Sequence, residues 1–74
     1  MPSIHSEEYR QIVSKLTAAR KDAGLSQKEV ATMLNKPQSY ISKIETFQRR
    51  IDILEMKELS KIYKIKLSTL VEDK

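Results

Sequence analysis

The chain has 74 residues, with 14 Lys plus Arg against 10 Asp plus Glu for a net charge of +4, and it contains no cysteine, one histidine and one glycine. So short a chain is one domain that buries only about 60 to 65% of its unfolded surface; a disulfide framework is excluded, and His5 has no partner at metal-ligand spacing, so no metal or cofactor is expected. No apolar run nears the roughly 18 residues of a spanning helix and no basic start precedes an apolar stretch, so a soluble cytoplasmic protein without membrane contact is expected, and its mild basicity suits a polyanion if the charge gathers on one face.

The apolar residues recur at three- and four-residue spacings and nowhere alternate, which predicts an all-α domain over residues 1–74, with 1–5 as a flexible tail. A first helix is expected from a Ser6 cap through Ala23: Glu7 and Glu8 suit its positive end, and Tyr9, Ile12, Val13, Leu16 and Ala23 form one stripe. Gly24 stops it, being the residue best able to take a left-handed conformation. Ser26 and Glu29 form a capping-box pair that opens a second helix over Gln27 to Leu34, with Val30, Ala31 and Leu34 inward and Asn35 ending it.

Pro37 fits the first turn of a third helix that continues to about Thr46 with Ile41 and Ile44 toward the core. Only two or three residues separate helices two and three, which predicts a sharp crossing through a tight turn. After a loop from Phe47 to Ile51, Asp52 caps a fourth helix carrying Leu54, Leu59, Ile62 and Tyr63, and Ser68 to Glu72 add a short fifth. The expected fold is thus a compact bundle of four to five short helices around a central helix-turn-helix.

At 100° per residue, Gln38, Ser39, Ser42, Lys43 and Thr46 fall within one arc of about 140° on the third helix, opposite Ile41 and Ile44. An amide, hydroxyls and a lysine are side chains that read base edges in the major groove; the same arc also describes an ordinary solvated face. Two features favour the first reading. The arc holds no acidic residue, and Lys36, Lys43, Arg49 and Arg50 against Glu45 alone concentrate a surplus of three positive charges between positions 36 and 50.

Leu25-Ser26-Gln27, Val30-Ala31, Leu34 and Ser39-Tyr40-Ile41-Ser42-Lys43-Ile44-Glu45 resemble the phage repressor and Cro class of helix-turn-helix regulators, the xenobiotic-response-element family, over roughly Tyr9 to Val71. The resemblance implies a lambda-repressor-like fold and double-stranded DNA as partner. It makes Gln38, Ser39, Ser42 and Lys43 base readers and Gln27, Tyr40, Thr46, Arg49 and Arg50 backbone contacts, a division in which phosphate contacts position and base contacts specify. It also implies an internal salt bridge between Arg20 and Glu45 that would orient the reading helix. Three positions depart from the family pattern: Asn35 replaces the usual turn glycine, Lys36 stands where an apolar residue is common, and Phe47 occupies a position where glycine is often found.

Leu67, Leu70 and Val71 form a short apolar stripe that is either a lid on the monomer core or a two-fold dimer contact, the latter placing two reading helices about 34 Å apart on DNA. Glu7, Glu8, Glu55, Glu58, Glu72 and Asp73 read as solvated helix faces or end charges, because no nucleophile and base accompany them; an enzyme, or binding of a small-molecule substrate, is not expected. The sequence points to a sequence-specific regulator, by default a repressor, binding a pseudo-palindrome as a homodimer. A protein-interaction module such as an antitoxin is the alternative, which a large exposed apolar patch would favour.

Overall fold

A computed structural model describes residues 6–71; the tail 1–5 with His5, and the charges expected at Glu72 and Asp73, lie outside them. Five helices follow in chain order: α1 (Glu7–Asp22), α2 (Gln27–Met33), α3 (Gln38–Glu45), α4 (Ile53–Ile62) and α5 (Leu67–Val71), and no strand occurs among the described residues. The N-terminal caps are local chemistry. Ser6 Oγ accepts the Tyr9 N–H at 3.1 Å, and Ser26 with Glu29 and Asp52 with Glu55 close two reciprocal capping boxes.

Four helices end in one way. Gly24, Asn35, Phe47 and Lys64 all take positive φ, from 58° to 75°, directly after the caps of α1, α2, α3 and α4. In each case the next two N–H groups fold back on the last turn, as where Asn35 and Lys36 donate to the Thr32 and Ala31 carbonyls at 3.0 and 2.8 Å. This satisfies carbonyls that a helix end otherwise leaves bare, and it turns the chain sharply enough for neighbouring short helices to cross. One glycine serves four such turns, so three side chains bear the strain of the left-handed region.

The core gathers Tyr9, Val13, Leu16 and Ala19 of α1, Val30 and Ala31 of α2, Ile41 and Ile44 of α3, Ile51, Met56, Leu59, Tyr63 and Leu70. α3 packs on α2 and α1, and α5 closes the bundle against α1 and α4. Tyr9 also repairs the loop: its hydroxyl accepts the buried Ile51 N–H at 3.0 Å.

Several expectations need correcting. Pro37 lies outside the helix as its N-cap, with φ −71° and ψ 155°, so α3 begins at Gln38, and Thr46 is the C-cap. Proline's fixed φ serves extended backbone equally well, and its ring holds Lys36 out of the α region. Leu54 is 68% exposed, because the Asp52 cap sets a phase in which Met56, Leu59, Ser60 and Tyr63 share the inward face. Ala23 is an exposed C-cap rather than part of the stripe of α1, and Leu34 is a half-buried C-cap rather than a member of α2. Of the stripe expected as either lid or dimer contact, Leu70 is fully buried in the core as a lid would be, Leu67 is half-buried and Val71 exposed.

Candidate nucleic-acid interface

The helical period of α3 puts its two isoleucines, each 1% exposed, into the core and leaves Gln38, Ser39 and Lys43 exposed with Ser42 half-buried at the margin. The absence of a side-chain cap at Pro37 leaves the first turn of α3 open to solvent. α3 therefore presents polar and cationic side chains at the surface while its apolar side is held by α1 and α2.

At its C-terminal end α3 is anchored through Glu45. Arg20 of α1 donates from Nε to Glu45 Oε2 at 2.7 Å and from Nη2 to Oε1 at 3.1 Å, and the two side chains are each 10% exposed. Gln27 Nε2 donates to the same Oε1 at 2.9 Å, and Arg20 Nη1 reaches the Leu25 carbonyl at 2.7 Å. The bond to Glu45 raises the Arg20 pKa against the opposing pull of burial, and burial followed by the Glu45 charge pushes the Tyr63 phenol up. One carboxylate thus joins α1, the start of α2 and the end of α3.

At the other end stands a second carboxylate that the sequence reading left among solvated charges. Glu55 of α4 receives Arg49 Nη1 on Oε1 at 3.1 Å, Arg49 Nη2 on Oε2 at 3.0 Å, the Asp52 N–H at 2.9 Å and a short hydrogen bond from the Tyr40 hydroxyl. The Arg49 guanidinium lies 4.6 Å from the centre of the Tyr40 ring, and the Lys36 ammonium lies 5.3 Å from it. Burial alone would raise the Glu55 carboxyl, but the bonds from Arg49, Tyr40 and Asp52 outweigh it and hold the group at about 2. Burial and the bond to Glu55 push the Tyr40 phenol up.

Several of the expected backbone contacts are already bonded inside the protein. Tyr40, Arg49 and Gln27 already have carboxylate partners, and the Thr46 hydroxyl donates to the Ser42 carbonyl at 2.8 Å while accepting from Gln48 at 2.9 Å. Arg50 is exposed beside them. Arg10 of α1 stacks its guanidinium 4.6 Å from the centre of the Phe47 ring, bringing one more cation to the end of α3. The Asp52–Glu55 spacing was visible as a capping signal, whereas no local signal links Tyr40 to a residue 15 positions on.

Away from this face, an open groove of about 1050 Å³ runs between α1 and the end of α4, with Leu25, Met33, Ile62 and Ile65 among its lining residues. Among the described residues no cluster of His, Cys, Asp or Glu could hold a metal ion, and no helix is long and apolar enough to cross a membrane. In comparison with known proteins, the family model described as Helix-turn-helix matches residues 16–70, which takes in most of the chain. No curated protein matches.

Proposed function

We propose that this chain, which belongs to the Cro/C1-type helix-turn-helix family of DNA-binding transcription regulators, binds a pseudo-palindromic operator as a homodimer and acts in the cytoplasm as a repressor by excluding polymerase. The observation that carries the reading is α3 itself: two isoleucines fix one face in the core while Gln38, Ser39 and Lys43 stand exposed on a helix reached through a tight turn from α2. In the major groove, Gln38 offers a bidentate amide for adenine, Lys43 a donor for guanine O6 and N7, and Ser39 and Ser42 hydroxyls for either partner. Gln27, through the second N–H of its amide, and Arg50 hold phosphates, with Thr46, Tyr40 and Arg49 bordering their path.

The size of the domain supports the dimer. One copy measures 29 × 23 × 19 Å and carries one reading helix, so two half-sites about 34 Å apart take two copies. The whole chain, residues 1–74, works as that single domain. Selection from a pool of random duplexes at near-physiological salt tests the reading: a palindrome with half-site centres about ten base pairs apart, relaxed by Lys43→Ala, is the expected result. Weak, steeply salt-dependent binding that enriches no sequence would sink it.

The open groove, lined by Leu25, Met33, Ile62 and Ile65 together with Lys15, Asp22 and Lys64, supports a second reading, a protein-interaction module of the antitoxin kind whose partner covers those apolar residues. Charged substitutions there separate the two: Met33→Glu leaves operator selection intact under the first and abolishes partner neutralisation under the second.

A further inference from the structure

Glu55 makes more contacts than a helix cap needs. Its two oxygens take four protein donors, from the first turn of α3 (Tyr40), the loop after α3 (Arg49, twice) and the start of α4 (Asp52). Tyr40 lies between Ser39, an exposed candidate reader, and Ile41, a core residue, so its side chain leaves α3 beside the reading face. Held at its hydroxyl and stacked on its ring by Arg49, Tyr40 has little freedom to let α3 roll about its own axis.

Arg49 is committed to the same cluster. Nη1 donates both to Glu55 and to the Arg50 carbonyl at 3.2 Å, and Nη2 donates to Glu55, so three of its five N–H groups are engaged inside the protein. A phosphate contact through this fork would have to break a bidentate pair and unstack the guanidinium from Tyr40.

We infer that Glu55 is a specificity-determining positioning residue: by clamping Tyr40 and Arg49 it fixes the rotation of α3 against α4, so that Ser39, Ser42 and Lys43 meet base edges in one register. Arg49 serves the clamp rather than a phosphate. The inference rests on the operator-reading function proposed above. Glu55 touches no base; it acts through α3, and its loss lets the reading face shift by the small angles that spoil bidentate base contacts while leaving the basic surface in place.

The test starts from the operator selected by the wild type and compares it with a random duplex for wild type, Glu55→Gln, Tyr40→Phe, their double variant and Arg49→Met, with folding checked by circular dichroism. For Glu55→Gln the ratio of operator to random-duplex affinity falls about tenfold, the scale of one lost base contact, while random-duplex affinity holds or rises as a negative charge is removed. A loss of folded protein alone would lower both affinities together. Tyr40→Phe lowers the ratio in the same direction, and the double variant falls no further than Glu55→Gln. The slope of log affinity against log salt is unchanged in Arg49→Met; a phosphate contact would reduce it by about 0.9.

An unchanged ratio in Glu55→Gln overturns the inference, as does a reduced salt slope in Arg49→Met. If Glu55→Gln does not fold, an unchanged ratio in Tyr40→Phe overturns it equally. A wild type that enriches no site overturns the operator reading and this one together, whereas a wild type that does, with variants that keep its specificity, overturns this one alone.

Discussion

Two carboxylates hold α3 from its opposite ends, and both do so with an arginine fork. Glu45 closes α3 and takes Arg20 and Gln27; Glu55 stands on α4 and takes Arg49 and Tyr40 from around α3. They differ in water access. The Arg20 and Glu45 side chains are each 10% exposed, whereas Arg49 is 40% exposed and Glu55 17%. Coulomb attraction between similar forks is screened very differently at these two depths, and so is the cost of leaving one partner alone. The buried pair is therefore expected to carry more of the stability of the fold than the outer pair.

Removing one cation from each pair separates them most sharply. Arg20→Met leaves Glu45 buried with only an amide donor, and a loss of about 3 to 5 kcal/mol is expected in urea unfolding, enough to abolish cooperative folding in a domain of ordinary marginal stability. Arg49→Met leaves Glu55 near water, with Tyr40 and the Asp52 N–H still bonded to it, and about 1 kcal/mol or less is expected. Equal losses in the two variants would show that exposure does not distinguish them.

Acid titration of wild type beside Glu55→Gln isolates the carboxylate of the outer pair. The Glu55 carboxyl lies at about 2 in the folded protein against 4.5 for the unperturbed group, so its stabilisation is complete above about 4.5 and is lost as pH falls toward 2. Wild-type stability should therefore decline with acid through that window more steeply than that of Glu55→Gln, which has no proton to take up. Parallel pH profiles from urea melts would mean that the Arg49 and Tyr40 bonds do not hold the carboxylate in solution.

The two ends were also unequally legible. Caps, periods and the turns at Gly24 and Asn35 are local, and three helix starts, at the Ser6, Ser26 and Asp52 caps, and the α2–α3 crossing follow from them. The Arg20–Glu45 pair came only through resemblance, because nothing in the spacing of 25 residues marks a contact. Glu55 reads from the sequence as a solvated helix-face or end charge, whereas it closes the Asp52 capping box and takes Arg49, a task that depends on where the loop from Phe47 to Ile51 returns. The error at Leu54 is instead local: Met56, Leu59, Ser60 and Tyr63 fall on one face of the helix that Asp52 caps, and Leu54 lies about 200° round from Met56.

Phe47 links the two ends, for it begins the loop that leaves the Glu45 end of α3 and brings Arg49 to Glu55, and it does so at φ 63°. Two terms oppose each other there. A side chain in the left-handed region costs roughly 1 to 2 kcal/mol, while the half-buried ring contributes about 1 kcal/mol of apolar burial and up to about 1 more through the Arg10 guanidinium 4.6 Å away. Phe47→Gly removes both and should unfold within about 1 kcal/mol of wild type. Phe47→Ala loses the ring and keeps the strain, so it should be less stable than Phe47→Gly by about 1 kcal/mol. An alanine variant as stable as the glycine one would mean that the loop leaves α3 without the left-handed turn, and that Arg49 is delivered to Glu55 by another path.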